Sequence, residues 1–317
     1  MGDNVYRPPT DMVQGAPDLL DFRQNQLFVG NIYRVIKSTE SYYEQFVQDH
    51  SGQYSDGSEV IHTDIQSALD ACVECRNDYV IVQPSNSDYD LTAALTLSKK
   101  SVHLICPAGM GLDRGATNAC RIHQTTAATD IFTVSDASIE ISGFYLKPYS
   151  NVTAIGISAL GYSPNIHHNT IAMTCSSTTS EPMIHAEGDG GAYGDIHHNW
   201  IFSSAGDDYT IASIVTIGAS ATMAKCNYNE ITIGDGATAT VGITNAATKG
   251  MVAYNMFGGA GSDCTWTHCI ALGSYGNAIG NRAVVADSII VTGGSGTSTT
   301  YSDNMNGVDG GLIDDAT

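Results

Sequence analysis

The phrase Ile166-His167-His168-Asn169-Thr170-Ile171 returns as Ile196-His197-His198-Asn199-Trp200-Ile201, then as Cys226-Asn227-Tyr228-Asn229-Glu230-Ile231 and Val252-Ala253-Tyr254-Asn255-Met256-Phe257. The asparagines Asn169, Asn199, Asn229 and Asn255, continued by Asn281, are spaced by 30, 30, 26 and 26 residues. A phrase recurring at such a period marks one unit of structure repeated. Helical repeats of similar length need Leu, Glu and Lys to sustain them. The segments between these asparagines are instead rich in Gly, Ser, Thr, Ile, Val and Asn, which suit strands and turns.

If each unit is one turn of a coil built from three short strands, successive turns stack at roughly 4.8 Å and every residue sits over its counterpart. Two apolar columns fit that arrangement. Three before the Asn stand Ile166, Ile196, Cys226, Val252 and Ala278; two after it stand Ile171, Ile201, Ile231, Phe257 and Ala283. These are two walls of a core. The Asn is expected at a bend with left-handed backbone, which it tolerates better than most residues, with its amide bonded to the amides above and below. One coil earlier, Ile139-Glu140-Ile141-Ser142-Gly143-Phe144 has the same outline, with Ser142 expected in the Asn place.

The chain of 317 residues carries 33 acids against 13 bases, a net charge of −20. That excludes a nucleic-acid partner, which needs clustered Lys and Arg, and favours solubility. Met1 to Pro9 shows no basic and apolar leader, and no stretch approaches the ~20 apolar residues of a membrane span. The eight cysteines are scattered, several on apolar strand positions, so free buried thiols are expected, made in a reducing cytoplasm.

Residues 1–57 lack the repeat and read as an N-terminal arm. They hold Arg7, Arg23, Arg34 and Lys37 and an aromatic cluster of Tyr33, Tyr42, Tyr43 and Phe46. Ser41 and Glu44 have the spacing of a capping box, with Gly52 to end a short helix. The arm either caps the coil or docks onto a partner or neighbouring subunit. A clearer helix, near 63–76, has Thr63 as its cap with Gln66 three residues on, and Ile65, Ala68, Leu69, Cys72 and Val73 along one face. It would shield the unpaired edge at the end of a stack of strands. Cys72 and Cys75 form a CxxC with no second pair at zinc-site spacing, and Cys72 is already needed in the apolar face.

That helix, the strand Tyr79-Val80-Ile81-Val82 leading to Pro84, and then Tyr89 to Leu91, Leu95 to Leu97 and Val102 to Leu104 resemble the entrance of the pectate-lyase-like right-handed parallel β-helix superfamily. The resemblance covers roughly residues 60–295. It implies an all-β fold, a single-stranded right-handed parallel β-helix of about eight coils with an N-terminal capping helix and an N-terminal arm. The expected division is an arm over 1–57, the coil over 58–295 and a Gly/Asp-rich tail over 296–317. The superfamily includes polysaccharide lyases, hydrolases, phage tailspikes and silent structural proteins, so the fold leaves activity open.

Chemistry has few candidates. His167 and His197 share one column, His168 and His198 another, and stacking would place each pair about 5 Å apart, within reach of a metal in principle. The second column continues with Tyr228 and Tyr254. A ladder of rings therefore fits better than a ligand set, and neither metal nor cofactor is assigned. A lyase site needs a base and cations for the enolate-like intermediate, yet Lys225 and Lys249 are the only Lys or Arg between Lys147 and Arg282. Hydrolysis needs two carboxylates, for which Asp207, Asp208 and Asp189 are the fallback choices.

No catalytic set emerges. The expected function is structural: a phage virion protein, made in the host cytoplasm without a signal peptide, resembling a capsid decoration or cement protein. The resemblance also implies a homotrimer. Its partner would be the major capsid protein or another virion protein, attached through Arg7, Arg23 and Arg34. The alternatives are a tailspike-type receptor-binding or polysaccharide-degrading protein acting on surface polysaccharide, and a carbohydrate-binding module using Trp200 and Trp266 as stacking faces.

Overall fold

A computed structural model describes residues 30–110, 120–150, 152–173, 181–203, 209–259, 263–284, 289–293 and 300–306. From Asp78 onward the chain lays down three short strands per turn, one in each of three parallel sheets, for about eight turns. The first sheet has eleven strands, the second nine and the third eight. The fold is a parallel β-solenoid. Most of the short strands bury alternate side chains, as the period of 2 requires.

The two apolar walls run in register. Val80, Leu104, Ile141, Ile166, Ile196, Cys226, Val252 and Ala278 stack along the first sheet. Ile171, Ile201, Ile231, Phe257 and Ala283 stack along the second. Every one of these is essentially inaccessible to solvent. A fully buried side chain of this size contributes about 1.5–3 kcal/mol, so the two columns are a large part of what holds the coils together.

The asparagine column is present, but the left-handed residue is the one before it. His168, His198, Tyr228 and Tyr254 have φ of 54–57°, and Gly280 and Asp303 continue the series at 63° and 56°. This corrects the expectation. The corner residue must send its side chain outward, whereas the Asn side chain turns inward, where it is almost wholly buried. A second left-handed column, with φ of 53–60°, precedes the first-sheet strands at Ser101, Ser138, Ser163, Tyr193, Met223, Lys249 and Tyr275. Each three-residue strand of the first sheet from Glu140–Ser142 to Asn277–Ile279, such as Asp195–His197, is thus held between two tight corners.

Ser142 also moves. It pairs with His167, and the main-chain N–H of Phe144 donates to Asn169 Oδ1, so Phe144 occupies the Asn place. At the other end the column gains Asn304, whose Oδ1 accepts from Asn281 N and Nδ2. Strands Thr300–Ser302 and Met305–Asn306 flank it.

Two helices precede the first full turn. Helix α1 (Tyr43–His50) begins after Tyr42 without a side-chain cap, so no Ser41 to Glu44 capping box forms. Helix α2 (Ile65–Ala71) is capped by Asp64, whose carboxylate accepts from Ser67 N at 2.8 Å, in place of Thr63. Gln66 instead binds the main chain of Thr96. Ile65, Ala68, Leu69 and Cys72 join the core and close its N-terminal end, while Val73 is exposed. Strand Ile32–Val35 lies between Ile61–His62 and Asp78–Val82 in the first sheet, so the described part of the segment read as an arm includes a strand of the solenoid. No helix among the described residues is long and apolar enough to cross a membrane.

Candidate functional site: a ring ladder on the outer face of the first sheet

Because the outward residues of the first sheet are also stacked in register, polar side chains far apart in sequence form continuous columns. One runs Tyr79, His103, Glu140, Asn165, Asp195 and Lys225; the next runs Ser142, His167, His197 and Asn227. Beside them stands the corner column, His168, His198, Tyr228 and Tyr254.

The corner rings stack. His168 and His198 have centroids 5.1 Å apart and planes within 2°; His198 and Tyr228 are 5.0 Å apart, Tyr228 and Tyr254 5.1 Å. His167 and His197 stack at 4.9 Å. The ring ladder expected from the sequence is formed. Glycines bound it at either end, Gly143 above His168 and Gly280 below Tyr254.

Glu140 anchors the upper part. His103 Nδ1 lies 2.5 Å from Oε2 and His167 Nε2 lies 2.8 Å from Oε1, so both carboxylate oxygens are engaged. Burial would raise its pKa, but the hydrogen bonds and charges of the two histidines outweigh that and hold it down at about 2. His103 also meets the Asn77 amide at 2.7 Å and stacks on Tyr79. Burial and the neighbouring histidines depress His168 to about 4; burial likewise lowers His197. Both corner pairs share one further feature: Nδ1 of His167 lies 2.8 Å from Nδ1 of His168, and Nδ1 of His197 lies 2.8 Å from Nδ1 of His198.

The other candidates are scattered. Arg34 lies within the strand Ile32–Val35, half-buried. Arg7, Arg23, Asp207 and Asp208 lie outside the described residues. Asp189 is an exposed residue of the turn after Ala186, and its carbonyl accepts from Ala192 N. Trp266 is buried against Phe257 and offers no face to a sugar; Trp200 stacks on Phe202. Cys72 is buried, its thiol pushed up to about 12 mainly by burial, while Cys75 is exposed, so the pair is not a joint ligand set. None of the seven described cysteines is in a disulfide.

Sequence reasoning missed two clusters. Glu140 with His103 and His167 joins residues 37 and 27 positions apart, visible only once register is known. Asp88, Asp90 and His123 bring one ligand atom each within 4.8 Å of one another, but Arg121 already pairs with Asp88 and His123 with Asp90. On the third sheet, Gly156 leaves room for the Asp130 carboxylate to lie across it. Burial raises the Asp130 pKa, with His185 opposing and Glu181 and Glu187 reinforcing.

The chain matches no protein-family model, and comparison with curated proteins and with solved structures returns no match. Its place among β-solenoids rests on strand order and register.

Proposed function

We propose that this solenoid is a non-catalytic structural protein of a phage virion, a capsid decoration or cement protein of the pectate-lyase-like β-helix kind, assembled as a homotrimer. One observation carries the reading. Residues 1–29 lead into Gly30 and strand Ile32–Val35 at the end of the coil that helix α2 seals. A segment entering there can hold a shell protein while the coil projects away from it. The outer face of the first sheet suits a passive shaft, since its rings stack on one another and Glu140 has both oxygens engaged.

The test is removal of residues 2–29, which spares Ile32–Val35. The truncated protein should keep its β-sheet circular dichroism and trimeric sedimentation but no longer co-purify with assembled particles. Retained attachment would sink the proposal, as would a copy number of a handful per particle, which marks a tail component. The second reading, a polysaccharide-degrading protein, is favoured by Asp130, a half-buried carboxyl suited to protonating a leaving group. It predicts activity on a polysaccharide panel that Asp130→Asn abolishes.

A further inference from the structure

The histidine ladder brings two pairs of imidazole nitrogens to the separation a chelate needs. A borderline transition ion bound by imidazole nitrogens at ~2.0–2.1 Å, with the two nitrogens at a right angle, holds them about 2.9 Å apart. The Nδ1 atoms of His167 and His168 lie 2.8 Å apart, and those of His197 and His198 lie 2.8 Å apart. In both pairs the rings stand nearly perpendicular, at 86° and 87°. Consecutive side chains come so close because the second residue of each pair is the left-handed corner, with φ of 54°.

Partners on the far side of the inner rings fix where the protons are. The Glu140 carboxylate accepts from the outer nitrogen, so His167 carries its proton on Nε2 and presents a lone pair at Nδ1. Asn165 Oδ1, 3.1 Å from His197 Nε2, does the same for His197. A carboxylate or amide oxygen behind the outer nitrogen is the arrangement that orients metal-ligating imidazoles and raises their basicity. Each Nδ1 pair is then bridged by one proton, donated by His168 or His198. A metal ion takes the place of that proton, which moves to the same ring's Nε2 through solvent; His198 is exposed. No net proton is released.

Charge supports the assignment. Asp195 stands two residues before His197 on the same outward face, and its Oδ1 is buried without a hydrogen-bond partner. With Glu140 it sets two carboxylates beside the four imidazoles, against one cation, Lys225, next to Asp195 in the same column, so the net Coulomb attraction favours a cation.

The geometry points to a metal site in each of the pairs His167/His168 and His197/His198, taking Cu²⁺ or Ni²⁺ through paired Nδ1 atoms with water completing the shell. This is independent of any role in a virion.

Copper tests it on the full chain. Equilibrium dialysis at pH 7.5 should load two Cu²⁺ per chain, and electron paramagnetic resonance should show nitrogen coupling from two imidazoles per ion. His168→Phe keeps a ring in the stack but removes the chelate, so it should lose one Cu²⁺; His168→Phe with His198→Phe should lose both. His123→Gln with His268→Gln, a control away from the ladder, should keep both. The proposal is overturned if the double Phe variant still binds two ions. It is overturned equally if the unaltered protein binds copper without nitrogen coupling, a result that does not depend on how any variant folds.

Discussion

Asn199 Nδ2 donates to Asn229 Oδ1 at 3.0 Å, and the same bond joins every neighbouring pair from Asn169 to Asn304. Each interior amide is also tied twice to the main chain of the preceding coil. Asn199 Oδ1 accepts from Asn169 N at 3.1 Å, and Asn199 Nδ2 donates to Ile166 O at 2.9 Å. All four hydrogen-bonding sites of a buried side chain are used, and the corner residue beside it, freed from that task, carries the exposed ring ladder.

Asn199→Val should therefore be costly. It strands Asn169 N in the interior and takes one bond each from the Ile166 carbonyl, from Asn169 Nδ2, which keeps Ile141 O, and from Asn229 Oδ1, which keeps the main-chain N–H of residue 199; each unsatisfied group costs about 1–3 kcal/mol. Relaxation will recover part, so a net loss of at least about 3 kcal/mol is expected in urea unfolding. A normal melting curve for this variant would contradict the coil register.

Gly280 closes the ladder by having no side chain. A Cβ there would lie 2.5 Å from Tyr254 Cε1, on a backbone with φ of +63°. Gly280→Ala should cost about 1–2 kcal/mol, combining left-handed strain with displacement of the Tyr254 ring. In a Tyr254→Ala background the clash disappears and only the backbone cost remains, so a double-mutant cycle in urea should give a favourable coupling of at least about 0.5 kcal/mol.

The Asn column and both apolar walls were legible because they recur within one unit, at positions three before and two after a single marker residue. Ser142 was misplaced by two residues because strand side chains alternate with period 2, so a two-residue slip leaves the same face apolar. The pairing of Ser142 with His167 and the hydrogen bond from Phe144 N to Asn169 Oδ1 separate the two registers. Thr63 and Asp64 are both good caps, and the choice turned on which oxygen reaches Ser67 N. The Glu140 cluster stayed hidden for a different reason. His103, Glu140 and His167 are brought together by stacking three turns of unequal length, and no local pattern encodes that sum.

Asp78 ties the sealed end together. It is fully buried and accepts from Asn31 N, Val73 N and Arg76 Nε, each at 2.7 Å. Arg76 continues to Asp56 and to the Tyr33 hydroxyl. Asp78→Ala leaves two main-chain donors and a guanidinium without their acceptor and should cost about 3–5 kcal/mol. The loss should be local at first, so hydrogen exchange should rise over residues 30–36 and 65–73 well before the asparagine column opens.

Acid should weaken the ladder in two separable steps. His168 is depressed from 6.5 to about 4 by burial and its histidine neighbours, so on acidification the unfolded chain takes up the proton first. Its contribution is complete above pH 6.5 and is lost as pH falls through about 4. Glu140 is depressed from 4.5 to about 2, burial being outweighed by its two histidines; its contribution is complete above pH 4.5 and lost as pH falls through about 2. Because 33 acids repel one another and acid relieves that repulsion, the informative quantity is the difference from a variant. His168→Phe should reduce the wild-type slope between pH 6.5 and 4, leaving the part due to His197 and His268, which burial also lowers, and leaving the lower step. Glu140→Gln should cost about 1–3 kcal/mol at pH 7 and progressively less below pH 4.5. Melting temperatures of the three proteins from pH 7.5 to 3 decide the matter: parallel curves would mean that neither group is linked to folding.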